Sequence, residues 1–149
     1  MQRTDSKTET GAKRVLIIED DKALAVLMQR KLESDGYVTD WADSGEEGIT
    51  LASKGAYGAA ILDYKMPGVD GPVVLEKIRA ESVELPIIFV TAHGDNDVAF
   101  RSLQLGADEY LDKPFNFNTL SFYVKKHISL GEQREKQRAA KPAAGRTRT

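Results

Sequence analysis

Five short apolar runs, each followed by an amphipathic stretch, set the terms for what this chain can become. The runs are Val15–Ile18, Tyr37–Trp41, Ala59–Leu62, Ile87–Val90 and Glu109–Leu111, rich in the branched residues that suit strands buried on both faces. Leu24, Leu27, Met28 and Leu32 recur at helical spacing after the first run, and Asp35-Gly36 closes that helix. Ser44-x-x-Glu47 is a capping box for a second helix that Gly55 ends. Asp70 caps a third, with Pro72 in its first turn and Val74, Leu75 and Ile78 on one face. A fourth helix is predicted from about Asp95 to Leu105, stopped by Gly106, and a fifth carries Phe117, Leu120, Val124 and Ile128 on one stripe. Strand and helix in strict alternation, joined by right-handed crossovers, predict an α/β fold with a five-stranded parallel sheet and helices on both faces.

A chain of 149 residues is the size of one ordinary domain. The expected division is a polar leader over residues 1–13, a single domain over 14–131 and a basic tail over 132–149. No apolar run exceeds about five residues, far short of the roughly twenty that cross a bilayer. The first ten residues, MQRTDSKTET, lack the apolar core of a secretory signal, so a cytoplasmic location without membrane contact is expected. Cysteine is absent, which removes disulfides, thiolate metal sites and Cys nucleophiles. The net charge of −2 conceals an uneven distribution: residues 1–14 carry +2, residues 132–149 carry +4, and the middle holds 11 basic against 19 acidic residues. An acidic globule is a poor surface for phosphate backbones, so no direct nucleic-acid binding is expected of the domain itself. The tail EQREKQRAAKPAAGRTRT is expected to prolong the last helix by a few turns, with disorder around Lys141-Pro142.

In open parallel sheets the functional crevice lies at the carboxyl ends of the strands. The first strand delivers Glu19-Asp20-Asp21 there, the third Asp63, the fourth Thr91-Ala92 and the fifth Lys113-Pro114. Carboxylates converging on one edge resist simultaneous ionisation unless a cation sits among them. Hard oxygen donors without nearby His or Cys point to Mg²⁺. Lys113 and the Thr91 hydroxyl then suit an anion bound beside the metal, which describes a site for phosphoryl transfer.

These residues also carry a family resemblance. VLIIEDD at 15–21, ILDYKMPGVDG at 61–71, FVTAHGD at 89–95 and GADEYLDKPF at 106–115 resemble, in order and spacing, the receiver domains of two-component response regulators. The TAHGD and KPF wording is most similar to receivers of the enhancer-binding transcription activators. The resemblance implies a flavodoxin-like (βα)5 fold and makes Asp63 the phosphoacceptor, with the phosphoryl group arriving from a histidine kinase phosphohistidine or a phosphotransfer protein. It implies Mg²⁺ held by Asp20, Asp63 and the backbone carbonyl of Lys65, with Glu19, which stands where many members have Asp, reaching the metal through water. Thr91 and Lys113 would bind the phosphoryl oxygens. Ala92, small beside that group, would leave the donor a way in. Tyr110 would be the aromatic switch, and Lys113-Pro114 the bond such domains hold in cis. Lys65 and His93 stand at positions thought to set how fast the phosphoryl group is hydrolysed. The face built from the fourth helix, fifth strand and fifth helix would change on phosphorylation and could pair two copies of the chain or engage a separate target.

Each assignment has a plainer counterpart. Asp21 reads as a helix starter, Asp63 alone as a strand-end turn residue, Thr91 and Tyr110 as strand residues, His93 as a loop residue and Trp41 as packing. Two other functions share the fold. An aspartate-nucleophile phosphatase carries a second acid two residues after its nucleophile, where this chain has Tyr64 and Lys65. An interaction module that never becomes phosphorylated would lack an acid, the Lys or the Thr, and none is lacking.

Overall fold

Alternate residues of a strand point to opposite faces, and in the runs Val15–Ile18, Ala59–Leu62 and Ile87–Val90 both faces are apolar, so these strands demand a cover on each side. The computed structural model, described over residues 13–81, 84–92, 101 and 103–140, meets that demand with one parallel sheet between two helical layers. Its strands are β1 (Arg14–Ile18), β2 (Val38–Ala42), β3 (Ala59–Asp63), β4 (Ile87–Ala92) and β5 (Glu109–Lys113), in the order β2-β1-β3-β4-β5. The helices are α1 (Lys22–Ser34), α2 (Gly45–Lys54), α3 (Gly71–Glu81) and the C-terminal α4 (Phe117–Ala140). Leu16, Ile18, Ala60, Leu62, Ile87 and Phe89 face the layer of α2 and α3, where Ala52, Val74, Leu75 and Ile78 complete one core. Val15, Ile17, Ala59, Ile61, Ile88 and Val90 face α1 and α4, meeting Ala25, Met28, Leu32, Leu120, Val124 and Ile128.

Local chemistry fixes the helix ends. Asp21 caps α1, its carboxylate accepting from the Leu24 N–H, and Gly36 follows the helix with φ +97°, a left-handed turn suited to glycine. Ser44 caps α2 by accepting from the Glu47 N–H at 3.2 Å. The return half of that capping box lands one residue early, because the Glu47 carboxylate accepts from the Asp43 N–H at 3.3 Å. Asp70 contributes its carbonyl to the first turn of α3, accepting from Val74 N–H at 3.0 Å.

Leu27, read from the sequence as part of the apolar stripe of α1, is 50% exposed, and Ala25 takes the buried place beside Met28 and Leu32. Positions 25, 28 and 32 share one helical face, whereas 27 lies a full residue step around from 28. Of the expected fourth helix, residues 101, 103 and 104 are helical and Gly106 turns with φ +109°; positions 93–100 and 102 lie outside the described residues, His93 among them. The N-terminal residues 1–12 and the tail residues 141–149 also lie outside them. The C-terminal helix runs on to Ala140, with residues 132–139 exposed. Among the described residues, no helix is long and apolar enough to cross a membrane.

Strand order reverses between β1 and β3, so the connections leaving these two central strands diverge and open a crevice at their carboxyl ends. Glu19, Asp20 and Asp63 fall there.

Candidate functional site

Strand β1 ends at Ile18, and the next residue, Glu19, stays inside: it is 1% exposed. Its N–H donates to the Ala42 carbonyl at 3.0 Å, its carboxylate accepts from the Asp21 N–H at 3.1 Å, and its own carbonyl accepts from the Trp41 indole at 2.7 Å. Asp20 turns outward into solvent. Asp63 closes β3 at 3% exposure, and the Tyr64 N–H behind it donates to Val90 of β4 at 2.8 Å. One carboxylate oxygen from each of Glu19, Asp20 and Asp63 lies within 4.8 Å of the others.

Lys113, the last residue of β5, reaches over β4 to this cluster. Its Nζ stands 3.3 Å from Asp63 Oδ1 and 3.4 Å from Glu19 Oε1. Register places Thr91 opposite Asp112 and Ala92 opposite Lys113 on the neighbouring strand. Thr91 is 3% exposed. Tyr110 is half-buried two residues before Asp112, to which its hydroxyl donates. Lys65 is exposed in the loop after β3, and the Lys113–Pro114 bond is cis.

The electrostatics follow from two acids buried beside one base. Burial, and then the nearby Asp63 charge, push the Glu19 carboxyl up to about 7. Burial also raises Asp63, although Lys113, a hydrogen bond from Glu19 and one from the Lys65 backbone pull it back. Both acids are thus pushed toward the neutral form, because burial disfavours each charge and neither can ionise in this pocket without opposing the other. Burial works against the Lys113 ammonium, but Asp63 and Glu19 outweigh it and raise its pKa. A hard divalent cation fits this donor set: it would offset the charge of three carboxylates that otherwise repel one another.

The structure thus brings Glu19, Asp20, Asp63 and Lys113 to one point, with Thr91 and Ala92 on the strand between β3 and β5. Asp21 serves as a helix cap. Trp41, taken from sequence as packing, also binds the backbone of Glu19. Its signal in the sequence is slight, a lone indole N–H on an edge strand ending beside the acidic pair.

Comparison with known proteins agrees with this geometry. Residues 15–125 match the family described as the response regulator receiver domain. The chain is 36% identical over 122 residues to the transcriptional activator protein IrlR of Burkholderia pseudomallei, covering 82% of this chain and 53% of that protein. It is 38% identical over 112 residues to the transcriptional regulatory protein PcoR of Escherichia coli, covering 75% and 50%. The chain therefore spans about half the length of these curated relatives. A CheY-like receiver domain from Methanospirillum hungatei superposes with a TM-score of 0.78 at 30% identity, covering 82% of this chain and 98% of that one. The response regulator TrrA of Thermotoga maritima, solved in complex with Mg²⁺ and BeF, gives 0.71 at 36% identity, covering 77% and 98%. With the family matched across most of the sheet and its helices, the chain belongs to the receiver domains of two-component response regulators.

Proposed function

We propose that Asp63 accepts a phosphoryl group from the phosphohistidine of a histidine kinase or phosphotransfer protein, in the presence of Mg²⁺. The observation that carries this reading is the Lys113 ammonium 3.3 Å from Asp63, beside two further carboxylates at the mouth of a parallel sheet. A carboxylate oxygen of Asp63 attacks phosphorus, a P–O bond forms, and the P–N bond to the donor imidazole breaks. Asp20, Asp63 and the Lys65 carbonyl would hold the cation, with Glu19 behind them. When bound, Mg²⁺ supplies positive charge against the developing phosphoryl charge. Lys113 and Thr91 bind the phosphoryl oxygens, the β4 position of Ala92 leaves the donor an approach, and Tyr110 on β5 reports the change to the surface. The chain acts as a cytoplasmic signalling switch rather than an enzyme on external substrates, since its acceptor is its own side chain.

The phosphatase reading has no second acid at Lys65 to support it. The unphosphorylated module is disfavoured by the presence of every reacting group. Incubation with Mg²⁺ and acetyl phosphate is expected to add one phosphoryl group to the wild-type chain and none to Asp63→Asn. Stoichiometric labelling that survives the substitution would overturn the assignment.

A further inference from the structure

The paired register of β1 and β2 ends at Ile18 and Ala42. Glu19 carries the ladder one bond further through its N–H, but β2 supplies no backbone donor for its carbonyl. The Trp41 indole fills that gap at 2.7 Å. That carbonyl lies in the same rigid peptide plane as the Asp20 nitrogen. The indole therefore sets the plane from which Asp20 projects. Its ring is itself anchored, since Trp41 pairs with Ile17 in register and packs against the core that includes Val15, Ile17 and Met28. The Asp20 carboxylate is exposed and has no hydrogen bond or ion pair among the described residues, so its aim depends on its backbone.

We infer that Trp41 is a positioning residue for cation binding, its indole N–H holding the Glu19–Asp20 peptide so that Asp20 meets a divalent ion without first ordering its own backbone. This rests on Glu19 and Asp20 being the acidic pair of the cation site. Preorganisation of this kind raises affinity by removing an ordering cost at the moment of binding, and partners that orient metal ligands commonly matter at the level of tenfold or more. A tryptophan present only for packing would be indifferent to loss of the N–H.

The test replaces Trp41 by its benzothienyl analogue, in which sulfur stands for N–H and the ring shape is kept, alongside Trp41→Phe. Calorimetric titration of the full chain with Mg²⁺ is expected to show affinity weakened by about tenfold in both, with the analogue still folded in chelator at a melting midpoint lowered by the loss of one hydrogen bond. Trp41 is the only tryptophan in the chain, so its indole gives one amide-type cross-peak in a nitrogen-correlated spectrum. That peak is expected to move with the midpoint of Mg²⁺ binding. An analogue that binds Mg²⁺ as tightly as wild type overturns the inference. Asp20→Ala separates the two levels of argument: undiminished binding in that variant overturns the acidic-pair reading itself, whereas loss there with none in the analogue overturns Trp41 alone. Should both Trp41 variants fail to fold, an indole peak unmoved at saturating Mg²⁺ counts against the inference, and one that moves with the binding midpoint supports it.

Discussion

Lys113 and Asp63 form an ion pair at 3.3 Å although β4 lies between their strands, so the tip of β5 is tied electrostatically to the tip of β3. Removing the ammonium leaves two buried carboxylates without their cationic neighbour. Lys113→Ala is expected to fold with stability lowered by roughly 1–3 kcal/mol near neutral pH. The loss should shrink in acid, where the carboxylates take up protons. With Mg²⁺ and beryllofluoride, a phosphoryl mimic, the variant should show weaker amide shifts around Tyr110 than wild type. Shifts of full size there would refute the coupling role.

Stability should fall as pH rises through a defined window. Glu19 titrates at about 7 in the folded domain against its ordinary 4.5, so between these values the folded state binds more protons than the unfolded chain. Asp63, also raised by burial, acts in the same direction. The chelator-treated domain is expected to lose roughly 2–3 kcal/mol between about pH 4.5 and about pH 7. Glu109 does not blur this: despite its burial, Lys126 and His127 hold its carboxyl below the usual range, and its stabilising contribution is lost only as pH falls further. Mg²⁺ should therefore raise the melting temperature more at about pH 8 than at about pH 5. Equal increments at both would contradict the acid pair as the site of binding.

Gly71 is expected to take a side chain only by displacing the backbone beneath it. A Cβ there would stand 2.7 Å from the Tyr64 Cα and carbonyl oxygen and 2.8 Å from the Asp63 carbonyl. These are backbone atoms of the acceptor loop, to which the Gly71 N–H also donates at 2.9 Å. Gly71→Ala should cost about 1–3 kcal/mol and slow acetyl phosphate labelling, because the displaced atoms carry Asp63. Denaturant melts and labelling rates unchanged from wild type would rule out this contact.

Phosphorylation is expected to raise affinity for a partner at the surface beside β5, where Leu103 and Phe122 are exposed at 50% and 61%. A shift from mostly inactive to mostly active takes roughly 5.5 kcal/mol, more than one charged group with two or three new hydrogen bonds supplies. Sedimentation with Mg²⁺ and beryllofluoride should therefore show a partial move to dimer. An unchanged monomer at high micromolar concentration removes the homodimer and leaves a separate protein as the target.

The sheet was legible because both of its faces are buried, and burial writes itself as continuous branched runs such as Leu16 to Ile18 and Ile87 to Val90. The acidic edge was legible for the same reason, since a strand's end in sequence is its end in space. What escaped depends on angle or on contact between distant segments. Leu27 differs from Met28 by one step around a helix, which a list of apolar positions blurs. The Glu47 carboxylate reaches Asp43 rather than Ser44, a choice of one residue made by loop geometry. Trp41 shows its apolar bulk in sequence and hides its donor, whose acceptor is a carbonyl 22 positions earlier. Gly71 matters because of the backbone beneath it, which no local pattern records.

The length of the C-terminal helix has a mechanical consequence. Its core contacts stop at Ile128, yet it continues through Ala140, and among the described residues an ion pair at 3.0 Å between Arg138 and Glu84 is its outermost fastening. The stretch from Phe117 to Ile128 is clamped in the core, and the overhang after it extends about 18 Å at 1.5 Å per residue, so a bend of about 5° at Ile128 sweeps the far end through roughly 1.6 Å. The exposed salt bridge resisting that sweep is worth at most about 1 kcal/mol. The overhang is thus an arm with its base held at Ile128 and a weak latch near its tip, so its direction is set far less firmly than that of the packed half.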